Sequence, residues 1–239
     1  MPFLRFRFFA VSSTNDTALD LLEQQVPLPF VVRAEVQEAG QGRYGHTWYS
    51  PPGGLWFTLA LEPRPPRHFA RFTVLASEAV ARALDDLGIP GVRIKVPNDL
   101  QFRGKKVGGL LGDLGQKAAL LGVGINTRVP AFPASLQHRA GSLEHLTGRR
   151  ISNDRLLDRI LGYLNRLDQD LQQDRWRPWF QAWLQRLEHL GRPVRFQDLT
   201  TRQPVQGIFE GVTENFELRV DGRTYDLARI RDFRGVPEA

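Results

Sequence analysis

Strands dominate the hydrophobic pattern of the first half of the chain. Apolar and polar residues alternate, or form short apolar runs between turn residues, at about positions 3–11, 30–37 and 55–61. Both patterns are typical of β-strands. Three further strands are predicted between positions 92 and 126. The pattern therefore predicts a β-sheet at the centre of this part of the chain.

Helices are predicted where apolar residues recur every three or four positions or where a capping residue starts such a stretch. The predicted helices are 16–24 after a cap at Ser13 or Thr14, 72–87 before the stop at Gly88, a stretch from Ser152 to about 171, and about 176–189. These helices are expected to cover the sheet. Residues 127–150 are rich in proline and are predicted to be irregular.

The character of the chain changes at Gly191, after which only short strands are predicted. They lie at 194–196, 206–212, 217–220 and 224–227, and Asp221-Gly222 is a strong hairpin signal. The whole pattern predicts an α+β fold in two parts. Residues 1–189 form a domain with a mixed β-sheet covered by helices, and residues 190–239 form a small β-barrel.

Composition narrows the classes of function. The chain has 239 residues and no cysteine, which excludes disulfides, thiolate catalysis and cysteine-based zinc sites. No stretch is apolar enough to span a membrane, and the N-terminus lacks the apolar run of a signal peptide, so we expect a cytoplasmic protein. The formal net charge is +6, and the basic excess lies before position 189. Such an excess suits an anionic nucleotide or an acidic carrier protein.

Lysines are concentrated in one segment. The chain has 28 arginines but only 4 lysines, and three of these lysines lie between Lys95 and Lys106. Lysine is a compact charge on a flexible stem, which suits a small anionic group approached end-on. The alternative is a chance cluster on an exposed hairpin. Gly108 and Gly109 follow inside a strand pattern, which indicates close approach of a ligand or of another backbone.

A glycine loop, defined here as residues 39–54, connects two predicted strands. Gly40, Gly42 and Gly45 fit the spacing of a dinucleotide-binding turn, but that turn requires a helix after the glycines. A strand follows here, so the dinucleotide interpretation fails. A long loop in a compact domain is usually functional or disordered. Arg43 and Trp48 within the loop favour a lid over a ligand.

Five short motifs occur in the order in which biotin protein ligases have them. They are SSTN at 12–15, VQEAGQGRYGHTWYSP at 36–51, KVPND at 95–99, KKVGGLL at 105–111 and GVGIN at 122–126. The chain therefore resembles biotin protein ligases from about residue 12 to the C-terminus. The resemblance implies a class II synthetase-like catalytic domain and an SH3-like C-terminal barrel. It also implies a short form without an N-terminal DNA-binding domain.

The resemblance implies a function as well. Biotin would be joined to a lysine of a biotin carboxyl carrier protein in an ATP- and Mg²⁺-dependent reaction, through biotinyl-5'-AMP. Lys95 and Arg43 are the expected catalytic residues, because two anions must meet when the biotin carboxylate attacks the α-phosphorus. The metal ligands remain unassigned, and the sequence leaves a homodimer open.

Motif positions imply the binding residues. Biotin is expected to contact Ser13, Thr14, Asn15, Gln37, Gly40, Gln41, Gly42, Arg43, Lys95, Gly108 and Gly109. ATP is expected to contact Arg43, Trp48, Lys95, Asn98, Lys106 and Asn126. Two alternatives remain at this stage: Thr14 and Asn15 as a helix cap, and Trp48 as a loop anchor in the core.

Three positions depart from the family pattern. Gln41 and His46 replace two loop arginines, and Val96 replaces a tryptophan. The loop therefore has less positive charge to bind phosphates. The replacement at Val96 removes aromatic bulk near the predicted pocket.

The same residues also allow or disfavour other functions. A related ligase for lipoate or octanoate is the main alternative. A DNA-binding repressor is disfavoured, because the twelve residues before Ser13 read as a strand. A biotin-accepting carrier is also disfavoured, because Met1 is the only methionine and no Met-Lys-Met acceptor exists.

Overall fold

The computed structural model describes residues 3–236 and contains a sheet of seven strands and a sheet of five. The seven strands are β1 (Leu4–Val11), β2 (Phe30–Gln37), β3 (Leu55–Leu61), β4 (Arg93–Lys95), β5 (Asp99–Phe102), β6 (Lys105–Leu114) and β7 (Ala119–Ile125). Their order is β1-β2-β3-β7-β6-β5-β4. β1 and β2 are parallel and the other pairs are antiparallel, so the predicted mixed sheet is confirmed.

The strand count between positions 92 and 126 was predicted wrongly. The structure has four strands there instead of three, because a turn in which Gly115 N donates to Ala118 O (3.0 Å) separates β6 from β7. The strands predicted at 30–37 and 55–61 have the predicted bounds.

Helices cover both faces of the seven-stranded sheet. They are α1 (Thr14–Glu23), α2 (Pro66–Asp86), α3 (Ala134–Gln137), α4 (Leu143–Thr147), α5 (Asn153–Gln172) and α6 (Arg177–Gln185). Successive strand residues point to opposite faces. Val31 and Leu59 therefore pack in the large core with α2 and α5, while Phe30, Val32 and Ala60 pack with α1. Burial on both faces explains why β3 is apolar along its whole length.

Three helix predictions need correction. α2 begins at Pro66, six residues before the predicted start at 72. The stretch predicted to be irregular contains the short helices α3 and α4. α6 ends at Gln185, four residues before its predicted end at 189. The chain leaves the helix there because Leu187 pairs with Ile94 of β4 in a parallel bridge.

The five-stranded sheet is antiparallel. It consists of β8 (Pro193–Asp198), β9 (Gln203–Val212), β10 (Glu217–Val220), β11 (Arg223–Asp226) and β12 (Ile230–Gly235), in the order β11-β10-β9-β8-β12. The hairpin signal is confirmed, because Asp221 and Gly222 have φ values of 46° and 72° between β10 and β11. Within the described residues β11 and β12 do not pair, so the expected barrel is an open sheet. β12 was not predicted, and its pairing with β8 shifts register between Arg231 and Arg234.

Both sheets share one hydrophobic core. Phe216, in the turn before β10, lies 5.9 Å from the ring of Trp176, 5.4 Å from Phe180 and 6.5 Å from Trp183. α6 therefore packs directly against the C-terminal sheet. The division into domains at 189 and 190 remains a prediction from sequence.

Candidate active site

A cavity of about 850 Å³ lies among β6, β7, the glycine loop and β12. Most of the predicted site residues line it: Ser13, Thr14, Asn15, Gln37, Gln41, Gly42, Arg43, Trp48, Lys95, Asn98, Lys106, Gly109 and Asn126. Gly40 and Gly108 do not belong to this lining. A Cβ atom at Gly40 would lie 2.5 Å from Trp48 O, and one at Gly108 would lie 3.0 Å from Gly124 O. Both glycines therefore allow backbone segments to pack closely.

Hydrogen bonds that are buried or partly buried fix the polar end of the cavity. The side-chain oxygen of Gln37 accepts from Thr14 N at 2.8 Å and from Thr14 Oγ1 at 3.0 Å, and Gln37 Nε2 donates to Ser50 Oγ at 2.8 Å. Thr58 Oγ1 lies 2.5 Å from Asn15 Oδ1. These contacts orient the amide groups, as a ligand with several donors and acceptors requires. Ser50 lies within the glycine-loop motif at 36–51 but was not assigned to the site, and Thr58 lies outside all five motifs.

The N-cap of α1 is Ser13, and not Thr14 or Asn15. Its side chain accepts from Asn15 N at 3.2 Å and caps α1. The side chains of Thr14 and Asn15 are thereby left to line the cavity. A Cβ atom at Gly122 would lie 2.8 Å from Asn15 Oδ1, so β7 needs glycine there for Asn15 to reach its place.

Lys95 brings a positive charge into the cavity. Burial lowers the pKa of Lys95, Asp99 opposes this shift, and Lys106 lowers the pKa further. Lys106 Nζ is paired with Asp99 Oδ1 at 2.6 Å, whereas Lys95 has no salt bridge to any described residue. Lys95 is therefore the lysine whose charge is available to an anionic ligand.

Trp48 is both a loop anchor and part of the cavity wall. A Cβ atom at Gly109 would lie 3.2 Å from its ring, and one at Gly124 would lie 2.5 Å from its Nε1 atom. These two glycines are partners across β6 and β7. Lys106 Nζ lies 5.1 Å from the centre of the indole ring, within the range of a cation–π contact. The two interpretations of Trp48 from sequence are thus compatible.

The remaining motif residues have local partners. Asn98 donates a side-chain hydrogen bond to Leu110 O, and Asn126 Nδ2 donates to Lys106 O at 3.3 Å. Gln41 Nε2 donates to Asp16 Oδ1 of α1 at 2.9 Å, so the glutamine that replaces a family arginine ties the glycine loop to α1. Val96 is 3% exposed and fills the core beside the cavity.

Sequence reasoning missed the residues that enter the cavity from the C-terminal third. Glu188 N donates to Ile94 O at 2.9 Å, which places Glu188 beside the β4 strand that carries Lys95. Burial raises the pKa of Glu188, with Lys95 opposing, and burial lowers the pKa of His189. Residues 230–233 of β12 also line the cavity. No local pattern marks these residues, because only the tertiary fold brings them to Lys95.

Comparison with known sequences identifies the family of this chain. The sequence profile of the Biotin/lipoate A/B protein ligase family matches residues 8–127. The Biotin--[acetyl-CoA-carboxylase] ligase of Paracoccus denitrificans is 30% identical over 221 residues, which cover 88% of this chain and 91% of that protein. The chain belongs to the biotin/lipoate A/B protein ligase family.

Other members of this family differ in length. The Bifunctional ligase/repressor BirA of Bacillus spizizenii is 32% identical over 160 residues, which cover 63% of this chain and 49% of that protein. The chain thus spans about half the length of such relatives. Among solved structures, the biotin protein ligase from Aquifex aeolicus in complex with biotin and ATP has a TM-score of 0.87 over 98% of this chain and 99% of that chain. At 23% identity this likeness confirms the fold.

Two further properties of the described residues bear on this family's chemistry. None of the helices in the described part is long and apolar enough to cross a membrane. No cluster of three or more histidine, aspartate or glutamate side chains that could hold a metal ion occurs between residues 3 and 236.

Proposed function

We propose that this member of the family activates biotin with ATP and transfers it to a lysine of a biotin carboxyl carrier protein. One observation carries the proposal: a single cavity joins the polar end at Thr14, Asn15 and Gln37 to the cationic groups of Arg43 and Lys95. The first set matches the donors and acceptors of a ureido ring, and the second matches a carboxylate and phosphates.

In the first step, an oxygen of the biotin carboxylate attacks the α-phosphorus of ATP. A bond forms between that oxygen and the phosphorus, the bond to the β-phosphate oxygen breaks, and pyrophosphate leaves with the electron pair. The charge of Lys95 offsets the repulsion between the two anions, and Arg43 stabilises the phosphate side. Trp48 offers its indole ring to the adenine base. Preorganised charges of this kind lower the barrier without reorganisation of solvent.

The residues present fit a magnesium ion that arrives with ATP. Mg²⁺ usually keeps several waters and is held by substrate phosphates and one or two carboxylates, so a three-ligand protein cluster is not required. Asp99 and Glu188 are the carboxylates that line the cavity on the side of Lys95, and they would hold the ion. The ion would supply charge neutralisation to the phosphates.

In the second step, the ε-amine of the carrier lysine attacks the acyl carbon of the mixed anhydride. An amide bond forms, the bond from the acyl carbon to the phosphate oxygen breaks, and AMP leaves. The amine must first lose a proton. His189 is the proton acceptor beside Lys95, and burial lowers its pKa, which favours the neutral imidazole near pH 7. A cytoplasmic location, where ATP and carrier meet, belongs to the same proposal.

Calorimetric titration with biotin and with lipoate tests the proposal. Biotin should bind tightly, and ATP with biotin should release pyrophosphate, while lipoate should do neither. Asn15→Ala should weaken biotin binding, and Asn165→Ala is the matched control, because Asn165 lies on α5 outside the lining of this cavity. Preferential activation of lipoate would favour the lipoate branch of the family instead.

A further inference from the structure

The hydroxyl group of Tyr44 joins the glycine loop to the C-terminal sheet. It donates to Ile230 O at 2.8 Å and accepts from Arg43 Nη2 at 2.6 Å. Arg43 Nη2 also donates to Ala228 O at 3.2 Å. The tip of the loop is thus tied, through one hydroxyl and one guanidinium, to the carbonyl of the first residue of β12 and to a carbonyl in the turn before it.

Cationic groups from both sides surround the tyrosine ring. The Arg43 guanidinium lies 4.7 Å from the ring centre and that of Arg231, on β12, lies 5.4 Å from it. Arg231 Nη2 is also 3.4 Å from Nε2 of His46, and its Nε atom is buried without a hydrogen-bond partner. Cation–π contacts of this geometry add to the hydrogen bonds. Tyr44 is therefore the centre of the contact between the loop and β12.

The backbone of Tyr44 indicates that these contacts hold the loop in place. Its φ and ψ are 58° and 31°, in the left-handed region, which costs free energy for a residue with a side chain. The next residue, Gly45, also has a positive φ of 74°, but glycine adopts such angles without the cost of a side chain. A strained conformation persists only where surrounding contacts determine it.

We propose that Tyr44 is a positioning residue: it holds Arg43 and the glycine loop against the C-terminal sheet and so retains the adenylate in the cavity. The inference rests on the proposed function, because it takes Arg43 as the residue beside the adenylate phosphate. The C-terminal sheet then takes part in the first step, although all motif residues lie before position 127. Release of the intermediate is limited by the contact of Tyr44 with Ala228 and Ile230.

A first experiment tests the bridge without any ligand. Trypsin cleaves after Arg43, and cleavage requires the loop to leave β12. Tyr44→Phe keeps the ring and loses the hydroxyl, so we expect cleavage about fivefold faster, the effect of roughly one hydrogen bond. The control is Tyr163→Phe, which loses the hydroxyl bond to Asp86 Oδ2 (3.0 Å) far from the cavity. Rates are normalised to synthetic loop peptides of both sequences. Equal cleavage of the wild type and Tyr44→Phe, or equal acceleration in Tyr163→Phe, would overturn the inference.

A second experiment tests positioning through Arg43. Release of biotinyl-5'-AMP is timed in the wild type, Tyr44→Phe, Arg43→Ala and the double variant. We expect release about fivefold faster in Tyr44→Phe and less than about twofold further change when Arg43 is already alanine, because coupled residues are not additive. Additive effects would reject a role through Arg43. A wild type that forms no adenylate would refute the proposed function, while the proteolysis result would still decide the bridge.

Discussion

Lys95 carries its charge at a place where burial disfavours charge. Burial lowers the pKa of Lys95, and Asp99, Lys106, Glu188 and Arg234 modify the shift. A lysine is charged below its pKa, so Lys95 loses its charge at a lower pH than an exposed lysine, whose pKa is about 10.4. Burial of Lys95 therefore lowers the highest pH at which its side chain carries a positive charge.

We expect biotin affinity to fall on the alkaline side at a pH below the ordinary lysine range. Titration calorimetry between neutral and alkaline pH measures this fall. In Lys95→Arg the fall should disappear, because guanidinium stays charged, although affinity is lower throughout. Folding stability should change in the opposite direction: it rises as pH rises through the lowered pKa, because the unfolded chain then binds more protons. Identical pH profiles for the wild type and Lys95→Arg would contradict the role of Lys95.

The sequence alone identified those site residues that lie within short motifs. Lys95, Gln37 and Thr14 lie in short motifs, and the structure brings all three to one cavity. Thr58, Glu188 and His189 could not be found this way, and Tyr44, although it lies in the motif at 36–51, received no role from it. Thr58 reads as one polar position in an apolar strand, and Glu188 and His189 read as the end of a helix. Only long-range contacts give these residues a place at the site.

At the scale of elements, Gly109 of β6 and Gly124 of β7 leave the space that the indole ring of Trp48 occupies. Gly→Ala at position 124 would place a Cβ atom 2.5 Å from Nε1 of Trp48 and force the indole to move. We expect Gly124→Ala to raise the KM for ATP about fivefold or more, since overpacking of this kind costs roughly 1–3 kcal/mol.

Gly162→Ala is the matched control, because a Cβ atom there meets nothing within 4 Å. Gly162 lies inside α5, so alanine should raise stability by about 1 kcal/mol and leave the KM unchanged. Pyrophosphate release against ATP concentration measures the first effect and thermal unfolding the second. An unchanged KM in folded Gly124→Ala would show that the position of Trp48 is irrelevant to ATP.

The glycine loop is expected to become more ordered with ligand. The hydrogen bonds at its tip, made by Arg43 and Tyr44, are exposed or half-buried, and biotin or adenylate would add contacts on the cavity side. Proteolysis near Arg43 should therefore slow when biotin is added to the wild type. The comparison site is Arg202, in an exposed turn of the C-terminal sheet, where biotin should have no effect. An equal cleavage rate near Arg43 with and without biotin would contradict a loop that becomes ordered over the ligand.

Most helices and strands with a clear hydrophobic pattern were predicted with nearly correct bounds. Elements whose bounds depend on pairing with a distant segment were not. β2 and β3 have the predicted bounds: β3 is apolar except at Thr58, and β2 starts with three apolar residues and then alternates polar and apolar. β12 was missed because its register shift interrupts the alternation that marks a strand. α6 stops early because Leu187 pairs with β4, an event that the helical period of the sequence does not show.

At the scale of the whole molecule, the two sheets depend on each other. Phe216 packs among the aromatic rings of α6, so its loss should destabilise both parts together. We expect Phe216→Ala to lower the free energy of unfolding by about 2 kcal/mol or more in a single transition. The control is Phe9→Ala, because Phe9 is 79% exposed and should change stability by less than about 0.5 kcal/mol.

Denaturant unfolding followed by tryptophan fluorescence and by circular dichroism measures this dependence. Coincident transitions are expected. An early, separate transition of the C-terminal sheet would contradict the shared core. It would instead support the predicted division at position 189 as a division into independent folding units.

The proposed role of Lys95 is to stabilise the two anions that meet when biotin and ATP form biotinyl-5'-AMP. Mass spectrometry of the products after the protein is mixed with biotin, ATP and Mg²⁺ tests it most directly. The wild type should yield biotinyl-5'-AMP and pyrophosphate, while Lys95→Ala, folded as shown by circular dichroism, should yield neither. Lys117→Ala, which removes the one lysine outside the 95–106 cluster, should behave as the wild type. No adenylate from the wild type, or an undiminished yield from Lys95→Ala, would contradict the account.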